Sequence, residues 1–380
     1  MRIAYFNANL RRGQDGVTRV MYKMFEGALA RDHKAMAFTS TMPDSSDQII
    51  PMRKVRSVVL PLQKNYRIAL PGYQMFAKAL DVFSPDIIHI NSPCTLGFAA
   101  MKYARQFDIP VVATYHTHFP TYPRYYGFSA LEELTWKISR YLYNKMDRTF
   151  VPTRPILQEL TEHDIDRLEY LPNGVDLTLF SASRRSQLWR EKITKDDKPV
   201  VLFVSRLVWE KDLVVLAKAY HILRQKNLAF EMVIVGDGHA RKEFQEMMPE
   251  AHFLGYQSGQ ALSEIYASSD IFVFPSTTET FGLVTIEAMA SGLAPVAAKV
   301  GGAVGIIEED KSGLFAKPLS GEDLAHGVER LIVNKELRLE LAHGALQRSL
   351  DFSWESVLHQ LFASYQSVIY GRKRHLARAA

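Results

Sequence analysis

Residues 271–298, IFVFPSTTETFGLVTIEAMASGLAPVAA, read as a strand, a polar loop, a helix and a second strand. IFVFPS is short, aromatic and β-branched. Gly282 to Ala290 follows as an apolar helix, and APVAAKVGG resumes strand character. A strand returning through a helix to another apolar strand predicts parallel neighbours in an α/β sheet. The loop and helix also carry two carboxylates, Glu279 and Glu287, with seven residues between them. An ionised carboxylate among apolar residues needs a partner or water, so this stretch also raises the question of what those carboxylates serve.

The same alternation extends both ways. Upstream, PVVLFVSRL, FEMVIVGDG and AHFLGY are predicted strands separated by helices at Asp212–Arg224 and His239–Met247, with a further helix at Ala261–Ala267. The first half repeats the pattern. RIAYFNA, AMAFTST, VVLPL, PDIIHINSP, IPVVATYHTH and RTFVPT are strands, and Val17–Ala30 is a helix with Val20, Met21, Met24, Phe25 and Leu29 on its buried side. Residues 181–198, SASRRSQLWREKITKDDK, are polar and read as a connector. Two doubly wound domains follow, with a ligand cleft expected at their interface. The final segment predicts a helix to about Tyr370, with Trp354, Val357, Leu358, Leu361 and Tyr365 on one apolar stripe, then a basic tail.

Composition agrees with two soluble domains: 380 residues, 47% apolar and 23% charged. The one cysteine, Cys94, forms no intrachain disulfide and points to a reducing compartment, with a structural rather than nucleophilic role. The start lacks a signal-peptide apolar core, and no run approaches the roughly 18 apolar residues of a membrane span, so a cytoplasmic protein is expected. Residues 1–175 hold 22 Lys+Arg against 16 Asp+Glu, and the remainder 24 against 25. The basic first half suits an anionic partner such as a membrane surface. Nucleic acid is disfavoured, because no recognised basic–aromatic reading motif is present.

Four motifs carry candidate chemistry. In VSRLVWEKD, Arg206 lies just beyond a strand's carboxyl end and Lys211 five residues later, placed to grip a diphosphate. Thr280, Phe281 and Gly282 open a helix whose free amides suit an anion. Glu287, a turn into that helix, is placed to accept hydrogen bonds from vicinal hydroxyls, as of a ribose. Gly13 and Gly16 after the first strand, and Gly236 and Gly238 in VGDG, resemble phosphate cradles but lack GxGxxG, which disfavours a dinucleotide site. His116 and His118, in TYHTHFPTYPRYYG, are expected on one strand face; with no further His/Cys cluster nearby, a sugar-facing role for His116 is preferred over zinc.

With SRLVWEKD, LPNGVD, VGDG, FLGY, YASSDIFVFPS and the E-x7-E pair on the page, the chain resembles the retaining nucleotide-sugar glycosyltransferases of family 4 over nearly its whole length. DGVTRV and TYHTHFPTY look most like the lipid-directed branch that includes sulfoquinovosyl- and mannosyltransferases. The resemblance implies a GT-B fold, α/β, with two Rossmann-like domains facing across a cleft. Residues 1–180 would form the acceptor-side domain, 181–198 the connector, 199–350 the nucleotide-sugar domain, and 351–380 a helix crossing back to the first domain.

It further implies that Arg206 and Lys211 hold the donor diphosphate and Glu287 the ribose. Glu279, with the Phe281 and Gly282 amides, would face the donor sugar. His116 would contact the sugar, Gly16 would approach the phosphates, and Tyr256 and Gln257 would lie near the base. The implied reaction moves a hexose from a GDP- or UDP-linked donor to a lipid or glycan acceptor, with retention of anomeric configuration and no metal or other cofactor. Competing readings are a catalytically silent nucleotide-sugar-binding subunit and a GT-B phosphorylase or epimerase. Three departures from the family pattern stand out: Asp15 beside Gly16 and Asp212 after the Glu-Lys pair, both where Gly is frequent, and Gly305 where Glu is common. The predicted helix at 129–146, with Leu131, Leu134, Ile138 and Leu142 on one stripe and Lys137, Arg140 and Lys145 elsewhere, is a candidate for contact with an anionic bilayer, against an ordinary packed helix.

Overall fold

The computed structural model describes residues 1–11, 16–60, 63–70, 72–91, 94–116, 118, 120, 132–196 and 198–379. The chain divides into two units, Met1–Pro172 with Val357–Ala380, and Asn173–Ser356.

In the first unit the strands are β1 (Arg2–Phe6), β2 (Lys34–Thr39), β3 (Met52–Lys54), β4 (Ser57–Leu60), β5 (Gln63–Ala69), β6 (Ile87–Ile90), β7 (Val111–Thr114), β8 (Arg148–Val151) and β9 (Leu168–Tyr170). Seven of them form a parallel sheet in the order β3-β2-β1-β6-β7-β8-β9, and β4 and β5 make a separate antiparallel hairpin. The described part of VVLPL, Val58–Leu60, therefore belongs to the hairpin and not to the main sheet. β6 and β7 are buried at every position, as expected of parallel strands covered by helices on both faces.

The first helix, Gly16–Leu29, buries Val20, Met21, Met24 and Phe25 as expected, but Leu29 is exposed and Gly27 and Ala28 take the inner positions. The reason is the C-terminal helix, Trp354–Ala379, packed against it: a Cβ on Gly27 would come 2.6 Å from Leu358 Cδ1. That helix buries Val357, Leu358, Leu361 and Tyr365. Its Tyr365 hydroxyl bonds His89 Nδ1 on β6, whose Nε2 lies 2.7 Å from Thr114 Oγ1 on β7. Full burial holds the His89 ring well below the ordinary imidazole range, so it is a neutral pin between sheet and helix.

In the second unit β10 (Val200–Val204), β11 (Glu231–Val235), β12 (His252–Phe253), β13 (Ile271–Phe274), β14 (Ala294–Ala298) and β15 (Leu314–Ala316) form a sheet in the order β12-β11-β10-β13-β14-β15. Every pair is parallel. In both units three strands run outward to one side and the next returns to the other side of the first. The strand order thus reverses between β1 and β6, and between β10 and β13. Loops leaving the carboxyl ends at such a reversal diverge and open a crevice for a ligand.

The stretch expected as a connector belongs to the second unit and folds as a 3₁₀ turn, Ala182–Arg184, and a helix, Gln187–Ile193. Its charges are not all solvated. Arg190 is buried, with Nη1 2.8 Å from Asp270 Oδ2 and donating to the Ser268 carbonyl at 2.9 Å, and Arg185 reaches the other oxygen of Asp270 at 3.0 Å. Asp270 Oδ2 also accepts from the Val200 amide at 2.8 Å, which fastens this segment to the start of β10.

Candidate active site

The two loops that leave β10 and β13, the strands at the reversal, bring sequence-predicted residues together. The β10 loop is framed by β11: the Ser205 amide donates to Val235 O and the Leu207 amide to Asp237 O. The glycines of VGDG serve this approach. A Cβ on Gly236 would stand 1.8 Å from Ser205 O, and one on Gly238 2.2 Å from Leu207 O. They read as close-packing glycines that shape the Arg206 loop.

Arg206 is exposed, and its guanidinium has no ion-pair or hydrogen-bond partner among the described residues. Lys211 ends the 3₁₀ turn Trp209–Lys211 and is buried. Its Nζ lies 2.5 Å from Glu279 Oε1 and 3.4 Å from Thr278 Oγ1. Glu279 therefore has the partner that its position demanded, and that partner is the other predicted site residue. The loop after β14 supports Glu279 from beneath: the Gly302 amide donates to Glu279 O at 2.9 Å, and a Cβ on Gly301 would come 2.5 Å from that oxygen.

Past Glu279 the chain enters the helix Leu283–Ala290 through Gly282, whose φ of +90° is a left-handed conformation that glycine adopts freely. Phe281 is buried against Phe352, ring centroids 5.9 Å apart, which fixes the entry angle. The first amides of a helix have no intrahelical acceptor and form an anion-binding terminus. Glu287 is only 2% exposed, so it is not a solvent-facing residue; the Tyr266 hydroxyl donates to its Oε2 at 3.3 Å. Tyr256 is exposed beyond β12, and Gln257 turns its Nε2 back onto Leu254 O at 2.8 Å.

In the first unit, β7 runs into Tyr115 and His116. His116 Nε2 lies 3.0 Å from Oδ1 of Asn91, which follows β6. Accepting through that oxygen, Asn91 fixes Nε2 as the protonated nitrogen and leaves Nδ1 as an acceptor. Burial pushes the His116 ring down to about 4, so it is neutral at physiological pH. Asn91 is itself buried, and its Nδ2 makes no hydrogen bond among the described residues.

The two histidines do not act as a pair. His118 is engaged by the Tyr115 hydroxyl at 2.9 Å and by Glu159 at 3.2 Å, a structural setting. Cys94, at the start of the helix Thr95–Gln106, has its thiol pushed up by burial, consistent with an unreactive side chain. Gly16 is exposed at the first position of its helix, while Gly13 and Asp15 lie outside the described residues. Among the described residues no three His, Cys, Asp or Glu side chains gather as metal ligands. Sequence reasoning missed Asn91 and Tyr266, and noted Asp212 only as a departure from the family pattern, without a role. Asp212 Oδ2 accepts from the Thr277 amide at 2.8 Å and the Thr277 hydroxyl at 2.9 Å.

Two doubly wound units with polar residues at the strand reversals define the GT-B class of group-transfer enzymes. The chain matches the family model "Glycosyl transferases group 1" over residues 185–348 and "Glycosyltransferase Family 4" over residues 14–179. It is 32% identical to a GDP-mannose-dependent alpha-mannosyltransferase of Mycobacterium tuberculosis, over 96% of each chain. It is 31% identical to one of Corynebacterium glutamicum, over 97% of this chain and 89% of the relative. Sulfoquinovosyl transferase SQD2 of Arabidopsis thaliana is 34% identical over 79% of this chain and 60% of its own. Among solved structures, sucrose-phosphate synthase from Thermosynechococcus elongatus superposes with a TM-score of 0.80 at 20% identity, covering 98% of this chain and all of its own. HepE of Anabaena in complex with UDP gives 0.78 at 20% identity, over 97% of this chain and all of its own. The chain belongs to glycosyltransferase family 4.

Proposed function

We propose that this glycosyltransferase moves a hexose from a nucleotide diphosphate sugar to a lipid or glycan acceptor with retention, and that Arg206 and Lys211 receive the diphosphate. The observation that carries the assignment is the Lys211–Glu279 contact at the strand reversal, with the exposed Arg206 on the same loop as Lys211. As the bond from the anomeric carbon to the diphosphate oxygen breaks, its electron pair leaves with the diphosphate and positive charge builds on the sugar. Cations and helix amides preset around the leaving group stabilise it more in the transition state than in the ground state. In this reading Glu279, held by Lys211, faces the sugar and its developing charge, and Glu287 with Tyr266 serves the ribose hydroxyls. The acceptor hydroxyl attacks from the leaving-group face and passes its proton to the departing phosphate.

GDP-linked mannose is the first donor to test, because the relatives at 32% and 31% identity, matched over most of their length, are named for it. The acceptor surface is read from the helix Glu132–Tyr143. It buries Trp136, Ser139, Leu142 and Tyr143 and turns Leu134, Ile138 and Tyr141 outward, at one-turn spacing. Lys137 is exposed beside them, and Lys145 Nζ lies 3.5 Å from the centre of the Tyr141 ring. An apolar stripe rimmed by cations suits the surface of an anionic bilayer, and a peripheral enzyme needs no spanning segment. Among the described residues, no helix is long and apolar enough to cross a membrane.

The test is release of nucleoside diphosphate from a panel of GDP-, UDP- and ADP-sugars, with EDTA in a parallel arm. The expected result is release from at least one donor, unaffected by EDTA. Donor binding without release from any donor would leave only a binding subunit, and loss of turnover in EDTA would contradict a diphosphate held by protein cations alone.

A further inference from the structure

The turn that carries Lys211 ends in a residue whose conformation and bonding are both unusual. Asp212 has φ +55° and ψ 40°, left-handed, where a side chain is strained and glycine is not. It stands at the N-cap of the helix Leu213–Gln225, where an Asp ordinarily accepts from its own helix's second or third amide. Here it makes no such bond. Its carboxylate reaches instead across to the β13 loop and accepts both the amide and the hydroxyl of Thr277.

The neighbouring contacts continue this seam. Thr278 Oγ1 donates to Glu210 O at 3.1 Å, and Glu279 meets Lys211. Three consecutive residues of one loop thus engage three consecutive residues of the other. Within the seam the two Asp212 bonds, like the Thr278–Glu210 bond, involve neither member of the Lys211–Glu279 pair, and of these they are the ones made by a side chain of the Lys211 turn.

We infer that Asp212 is a positioning residue: it clamps the 277–279 loop to the Lys211 turn, so that Glu279 keeps its place when Lys211 turns toward a diphosphate. The inference rests on the proposed roles of Lys211 and Glu279. A clamp of this kind acts on the geometry of the reacting state, so its loss falls on kcat rather than on donor affinity.

Three variants test it, each measured for nucleoside diphosphate release and for melting temperature. Asp212→Gly removes the acceptor and relaxes the left-handed backbone, which offsets the loss of stability. Its kcat is expected to fall about tenfold with donor KM nearly unchanged. Asp212→Asn tolerates the same backbone and keeps an oxygen facing Thr277, so it is expected to restore most of kcat. Thr277→Val deletes one of the two bonds and is expected to fall between them. Wild-type kcat in Asp212→Gly overturns the inference, as does Asp212→Asn falling as far as Asp212→Gly. Lys211→Ala is the reference. If it turns over normally, the reading of the site fails; if it is crippled while Asp212→Gly is not, only the clamp fails.

Discussion

Each unit places its candidate site residues at a strand reversal, but the two sets are chemically opposed. In the second unit the loops after β10 and β13 carry Arg206, the buried Lys211 and Glu279. In the first, the loops after β6 and β7 carry an amide and an imidazole, Asn91 and His116, with the imidazole kept neutral by burial. Topology therefore sets where a ligand can sit, and charge sets what that place can do. A departing diphosphate gains negative charge during reaction and is served by fixed cations. Sugar hydroxyls gain none, and neutral donors and acceptors recognise them without a counter-charge.

This contrast can be broken first in turnover. Arg206→Ala and Lys211→Ala are each expected to lower kcat by on the order of 10²–10³, the cost of one preorganised transition-state donor. His116→Ala, which deletes a hydrogen bond to a neutral group, is expected to cost about tenfold. Equal losses at the charged and neutral ends, read in the same assay, would erase the distinction.

A smaller difference is expected in acid. The folded-state value of His116 lies below that of the unfolded chain, so between about pH 6.5 and 4 the unfolded chain binds more protons and stability falls as pH falls. The loss from His116 alone between pH 7.5 and 5.5 is about 1.4 kcal/mol, and His89 adds to it in the same direction. Urea denaturation at the two pH values should show this slope, and His116→Gln should flatten it by that amount. An unchanged slope in the variant would place the ring outside its buried setting.

The smallest effect concerns the outer face of the first unit. Leu134→Glu with Ile138→Glu should lower co-sedimentation with anionic vesicles several-fold and leave turnover on a water-soluble acceptor unchanged. Equal sedimentation would remove this face from the membrane reading.

The fold was legible because buried parallel strands write themselves as continuous apolar runs, and because the ends of β10 and β13 carry charged loops in sequence. Contacts between distant residues were not legible. Nothing in VSRLVWEKD says that Asp212 would leave its own helix to bind Thr277, 65 residues on. Nor does PDIIHINSP announce that Asn91 would orient His116. The run at 181–198 makes the same point: nothing in it says that Arg185 and Arg190 would meet on Asp270, 85 and 80 residues on. The helix near 129–146 shows the limit of periodicity. Its apolar residues encircle the axis, and packing selected Trp136, Leu142 and Tyr143 for burial, leaving Leu134 and Ile138 outside; Leu131 is not among the described residues.

The central claim is that Arg206 and Lys211 stabilise the diphosphate as it departs. Its most direct test is the rate of nucleoside diphosphate release at saturating donor by wild type, Arg206→Ala and Lys211→Ala, with folding of each checked by its melting temperature. The account predicts folded variants slowed by on the order of 10²–10³; folded variants that release diphosphate at the wild-type rate would contradict it.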